Sequence, residues 1–323
     1  MSSLVPGFIL RGARWNYRIL HTITGDNTHI STIFKAAVFP HENADQHPDA
    51  PKYDSRSVKC MDRERQAYQL PNVASAECFR KMYDVIDNST LALEWLETTL
   101  AEVVYRPDKD TYALIVSFLR ATLTSCVVLE AHQHINTDFK PSNILLSNVN
   151  TSRITAKVGD LGVVVPSNYL FNGQPFAMRA PEVYLGAPCA EPSQVWAIAA
   201  TLLVWIKPGV LGSQGCPYSL INDSWSMAKI KQLFPQWHIP APEDVQGHSF
   251  KDQVYGARKL GKLAPLLEAI APFDEETRKV EIPRELRDLL RFMMVPNPVA
   301  RPSASDVLVS KEFRAFETFV GGR

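Results

Sequence analysis

The amino-acid sequence predicts an α+β fold of two unequal lobes, small and β-rich first, large and mainly helical second. Two observations predict it. Runs of β-branched and aromatic residues are confined to roughly the first third of the chain, and helical spacing of apolar residues dominates the remainder. A third, the length of 323 residues with 46% hydrophobic content, supplies enough apolar side chains to fill cores in both parts. No internal repeat interrupts this order.

In chain order, residues 17–20 and 31–38 have strand composition. They flank Thr24-Gly25-Asp26-Asn27, a turn signal, so an early hairpin is expected. From 40 to 56 the chain becomes polar, with Pro40, Pro48 and Pro51 among His, Asp and Asn, and reads as a loop. A helix over 62–70 should stop at Pro71, and strands are expected over 82–86 and 90–96. Leu114, Phe118, Leu119, Leu123, Val127 and Val128 then repeat at the spacing of a buried helix face, predicting a long helix over 110–132. Further helices are predicted over 195–206, 224–233, 284–294 and 304–308. The last of these opens at Ser303 with Asp306 three residues on, a capping-box arrangement.

Composition excludes several functional classes. Lys plus Arg and Asp plus Glu both number 34, so no net charge favours nucleic acid or an anionic membrane as partner. Five scattered cysteines, none in a Cys-x-x-Cys pair, oppose a disulfide framework or a zinc site and point to a reducing compartment, cytoplasmic or nuclear. The apolar patch at 4–10 is broken by Pro6 and Gly7 and follows no basic residue, unlike a secretory signal. The apolar run at 195–206 is shorter than the roughly 20 residues that cross a bilayer and reads as a buried helix. No membrane association is expected, and these features leave the oligomeric state open.

The chemistry concentrates in Asn136-Thr137-Asp138-Phe139-Lys140-Pro141-Ser142-Asn143-Ile144-Leu145-Leu146, followed by Val158-Gly159-Asp160-Leu161-Gly162, Met178-Arg179-Ala180-Pro181-Glu182 and Arg301-Pro302. These segments resemble, in order, the catalytic loop, the D-F-G and A-P-E motifs and the late Arg-Pro of protein kinases, over about residues 14–318. The resemblance implies the two-lobed kinase fold, with an N-terminal lobe over 14–97 that includes a proline-rich loop at 40–57, and a C-terminal lobe over 98–318. It also implies ATP and Mg²⁺ as cofactors and a protein substrate. Phosphoryl transfer needs a carboxylate for the attacking hydroxyl, a cation near the γ-phosphate and oxygen ligands for magnesium. By resemblance Asp138 supplies the first and Lys140 the second, while Asn143 and Asp160 hold the metal. Lys140 two positions after Asp138 is the serine/threonine-type arrangement. Glu182 and Arg301 are expected to form a buried ion pair that anchors the activation segment. Residues 221–240 resemble the segment inserted in the cyclin-dependent, MAP and SR-protein kinase group.

The first lobe departs from the family pattern. The glycine-rich loop corresponds to residues 23–33, where Gly25 is the sole glycine and Asp26 lies beside it. Glu64 matches the glutamate of the small-lobe helix. Its lysine partner is assigned to Lys59, which follows Val58 as on the family's third strand. Lys52 is the alternative, and Lys35 is placed at an exposed position on the second strand. The catalytic-loop His and Arg are Asn136 and Thr137, and Gln194 replaces an Asp that accepts backbone N–H groups. Two functions therefore stay open: a serine/threonine protein kinase, or a pseudokinase that binds partners without turnover.

Overall fold

The computed structural model describes residues 5–23, 33–40, 55–151, 153–169, 173–260, 267 and 269–322. Lys52, the 24–27 turn and nearly all of the glycine-loop segment lie outside them. Strands β1 (Ile9–Arg11), β2 (Asn16–Ile23) and β3 (Ile33–Phe39) form an antiparallel sheet with β2 central. The expected hairpin is present and longer than the strand composition alone indicated, with β2 and β3 paired from Asn16↔Phe39 to Ile23↔Ile33.

Helix α1 (Ser55–Gln69) ends just before Pro71, as expected, but begins seven residues earlier than the apolar spacing suggested. Ala67 and Tyr68 are its buried contacts with the rest of the molecule. The hairpin β4 (Met82–Asp87) and β5 (Thr90–Leu93) follows. Asp84 joins the two sheets: its carboxylate accepts the N–H groups of Ala13 (3.2 Å) and Arg14 (2.9 Å) and the Tyr17 hydroxyl (3.2 Å). A side chain at Gly12 would collide with that carboxylate, so a residue without Cβ stands there.

The remainder is mainly helical. Helix α2 (Lys109–Glu130) is capped by Asp108, which accepts the Thr111 N–H, and buries Leu114, Ile115, Phe118, Leu119 and Leu123. Among the described residues it is the one helix long and apolar enough to cross a membrane, yet 61% of that window is buried inside the protein. Around it lie α3 (Pro181–Tyr184), α4 (Glu191–Ile206), α5 (Asn222–Leu233), α6 (His248–Leu260), α7 (Phe273–Arg278), α8 (Arg284–Met293), α9 (Ala304–Val309) and α10 (Lys311–Gly321). Helix α4 is buried along nearly its whole length, which explains its continuous apolar run. The capping box at Ser303 and Asp306 forms as predicted.

Besides β1, five short strands had no counterpart in the sequence pattern: β6 (Thr98–Thr99), β7 (His134–Asn136), β8 (Ile144–Ser147), β9 (Thr155–Val158) and β10 (Val164–Pro166). Segments of two to four residues are too brief to display alternation. They form a β6-β8-β9 sheet and a β7-β10 ladder that frame the loop between β7 and β8. One apolar core runs from Tyr68 and Phe79 through α2 and α4 to Phe313 and Phe316. The molecule is α+β with the two-part layout of a protein kinase.

Candidate functional site

The loop between β7 and β8 is shaped by its own side chains. The Asn136 side-chain oxygen accepts the Asp138 N–H (2.9 Å), and Pro141 opens a 3-10 turn, Pro141–Asn143, that buries Asn143. Asn143 Nδ2 then donates to both the carbonyl (2.9 Å) and the carboxylate Oδ2 (2.8 Å) of Asp138, whose Oδ2 also lies 2.9 Å from Lys140 Nζ. Burial raises the Asp138 carboxyl above its ordinary value. Lys140 opposes the rise, Asp160 adds to it, and the Asn143 hydrogen bond holds it down.

Asp160 arrives from the end of β9. The Gly159 N–H donates to the Asn143 carbonyl (2.8 Å), which joins the Asp160 segment to the catalytic loop. A Cβ at Gly159 would lie 3.1 Å from that carbonyl and 3.0 Å from Leu145 Cγ, so a side chain there would crowd this approach. Asp160 Oδ1 accepts the Gly162 N–H (2.8 Å) in an Asx turn. Both side-chain bonds of Asn143 use its amide nitrogen, leaving the amide oxygen, beside the carboxylates of Asp138 and Asp160, as a hard oxygen donor. That donor chemistry suits Mg²⁺.

Glu64 reaches the same place from α1. The backbone N–H of Leu161 donates to it, while burial and then the Asp160 charge push its carboxyl up to about 7, against the opposing charge of Arg80. The structure brings Asp138, Lys140 and Asn143 together in one loop and fastens the Asp160 segment to it, with Glu64 and Asp160 close enough for their charges to act on each other. Lys59 does not take its expected place. It lies within α1, five residues before Glu64, and not on a strand. Five residues cannot hold a strand end, a turn and a helix start.

Three further residues at the site carried no motif. Lys157, only 5% exposed at its side chain, bonds both carboxylate oxygens of Glu94 (2.9 and 2.8 Å) across 63 residues of sequence. Burial alone would raise the Glu94 carboxyl, but Lys157 and the Lys81 N–H hold it below its usual range. Arg80 Nε donates to the Glu94 carbonyl (2.8 Å). The one available signal was a lysine inside the apolar strand Thr155–Val158, and its partner was not legible.

Behind the site, Gln194 takes the role expected of it, accepting the Asn136 N–H (2.8 Å) through its amide oxygen, although its amide nitrogen is buried without a hydrogen-bond partner. The Thr137 hydroxyl donates to the Val163 carbonyl (3.1 Å), and β10 pairs with β7. Arg301 forms a two-pronged pair with Glu182 (2.7 and 2.9 Å), donates to the carbonyls of Val295, Pro192 and Pro296, and lies over the Trp196 ring. Arg179 pairs with Asp223 (2.6 Å). Cys78, Cys126, Cys189 and Cys216 form no disulfide.

No family model matches the chain. Among curated proteins it is 26% identical over 247 residues to GLH-binding kinase 1 of Caenorhabditis elegans, covering 72% of this chain and 58% of that protein. It is 24% identical over 230 residues to the stress-activated protein kinase JNK of Drosophila melanogaster, covering 68% and 57%. With homeodomain-interacting protein kinase 2 of Mus musculus it shares 25% over 205 residues, covering 55% of this chain and 17% of that one. The chain therefore spans less than two thirds of the length of these relatives. Together with the fold and the order of motifs, these likenesses support a protein-kinase-like superfamily assignment for the chain.

Proposed function

We propose that the chain catalyses ATP- and Mg²⁺-dependent phosphoryl transfer to serine or threonine of a protein substrate. The observation that carries this reading is the loop in which Asn143 and Lys140 both bind Asp138 while the Asp160 segment is fastened to Asn143. Bound Mg²⁺ would supply charge neutralisation on the nucleotide phosphates. Asp138, partly buried with its carboxyl raised, orients the attacking hydroxyl and receives its proton. Lys140, released from Asp138 when an anionic group enters, places its ammonium against the transferred phosphoryl. Asn143 and Asp160 would provide the oxygen atoms to hold the cation. Leu161, fully buried, fixes the backbone that carries Asp160.

A second reading, a pseudokinase serving as a binding module, is favoured by the sole glycine, Gly25, in the segment that faces phosphates in the family. A thermal shift with ATP, with and without Mg²⁺, separates the two. A ligand at 100 times its dissociation constant adds roughly 2.7 kcal/mol. The transfer reading expects a magnesium-dependent shift that Asp160→Ala abolishes, together with labelling of a serine/threonine peptide library. It further expects Asp138→Asn to slow labelling by about two orders of magnitude with nucleotide binding retained. A shift without labelling would favour the binding module, and no shift in magnesium would defeat nucleotide-dependent transfer.

A further inference from the structure

Helix α1 and the β7-β10 ladder enclose a cavity of about 400 Å³, a volume within the range of small-molecule clefts. Arg63, Gln66, Ala67 and Leu70 line its α1 side at i, i+3, i+4 and i+7, so they share one face of the helix. Glu64 and Tyr68 lie on the neighbouring stripe, where the Tyr68 hydroxyl reaches the Arg80 carbonyl, so the cavity is set apart from the carboxylates of the candidate site. Its opposite wall is Val164 and Val165, both buried, with His134 beside them because Pro166 pairs with His134 across the ladder. The His134 ring is fixed in that wall, its Nδ1 donating to the His132 carbonyl (2.7 Å). The walls are thus largely in place before any ligand arrives.

Charge in this cavity is one-sided. Arg63 lines it, and no Asp or Glu does among the described residues. Arg65, two residues on, pairs with Asp62 (2.6 Å), whereas the half-buried Arg63 has no carboxylate partner among the described residues. A guanidinium always carries its charge and presents a planar fork of donors that matches a carboxylate. We propose that the cavity is a second ligand site, taking a small organic acid whose carboxylate binds Arg63 and whose apolar body lies on Ala67, Leu70, Val164 and Val165. Inorganic phosphate would leave those apolar walls uncovered, and a neutral ligand would leave Arg63 unpaired. Because α1 carries Glu64 and β10 continues the chain from Asp160, such an acid ties together two elements that flank the candidate site. An effect on turnover rests on the phosphoryl-transfer reading, but the binding itself does not.

The test is calorimetric titration of the nucleotide-free chain with benzoate as the probe, and with benzamide and inorganic phosphate as controls. Benzoate is expected to bind saturably, and each control at least about tenfold more weakly, since one lacks the charge and the other the apolar body. Arg63→Met, which keeps the aliphatic stem and removes the fork, should weaken benzoate by at least about tenfold, and Arg63→Lys should retain part of the affinity. Leu70→Trp, which narrows the cavity and leaves the charge, should weaken it as well and keeps the idea testable should Arg63→Met fail to fold. Hydrogen–deuterium exchange locates the ligand: benzoate should slow exchange over residues 63–70 and 164–166. The proposal is overturned by no saturable benzoate binding, by phosphate or benzamide binding as tightly as benzoate, by either variant binding like wild type, or by protection confined to other segments. A chain that binds benzoate as expected yet labels no peptide with Mg²⁺ and ATP defeats the transfer reading alone.

Discussion

The Glu182–Arg301 pair of the large lobe and the Glu64 carboxyl of the small lobe meet burial with different margins. In the large lobe one arginine meets one glutamate: Arg301, 0% exposed at its side chain, satisfies Glu182 with two bonds and uses its remaining donors on three carbonyls. In the small lobe the Glu64 carboxyl, raised by burial and then by the Asp160 charge against the opposing charge of Arg80, is pushed up to about 7. A matched, fully bonded pair holds its geometry at any neutral pH, whereas a crowded acidic group depends on protonation. The large-lobe half of the site is built as a fixed frame and the small-lobe half as an adjustable one.

The most direct way to break that contrast is to remove the fixed frame. Arg301→Met leaves Glu182 uncompensated and should cost about 3–5 kcal/mol in urea unfolding. A loss below 1 kcal/mol would show that the pair is not an anchor. Titrating the adjustable half comes next. The Glu64 carboxyl is raised from 4.5 to about 7 in the folded protein, so its contribution to stability is complete below pH 4.5 and disappears as pH rises through 7. After allowance for solvent screening the decline is on the order of 2 kcal/mol, and Glu64→Gln should flatten it. An unaltered pH slope in that variant would remove Glu64 as its source.

Smaller effects sharpen the picture of the activation segment. Thr137→Val deletes the bond to the Val163 carbonyl and should cost about 1 kcal/mol, read as a lower midpoint in urea with unchanged slope. The smallest expected effect concerns phosphorylation. A threonine at 137 cannot grip a phosphate as an arginine fork does, and the segment is held instead by the β7-β10 ladder, buried Val164 and Val165, and the bond from Ser167 N–H to the Gln133 carbonyl (2.7 Å). Phosphatase treatment and the double substitution Ser167→Ala with Tyr169→Phe should therefore leave peptide labelling within about twofold, a change too small to signal loss of an ordering phosphate. A large drop after either would reveal a phosphate switch that packing does not replace.

What was legible in the sequence was local. Asp138, Lys140 and Asn143 lie within six consecutive residues, so one loop conformation sets their mutual distances, and Asn136 and Pro141 fix that conformation from inside the segment. The long helices were legible for the same reason, since each displays its buried face at a repeat read within one element. The start of α1 was not, because a mean polarity this high leaves the early part of the helix without an apolar stripe to announce it, and the assignment of Lys59 failed with it. The bond between Lys157 and Glu94 spans 63 residues, and Arg80 reaches Val158, Tyr68 and Glu94 from a segment without a motif. Sequence by itself determined the α+β class and the residues of the loop between β7 and β8, because both follow from spacing along one stretch of chain. Which carboxylate Lys157 meets, and how far the Glu64 carboxyl is raised, were decided only by tertiary structure, because both depend on charges brought together from separate elements and on the solvent their packing excludes.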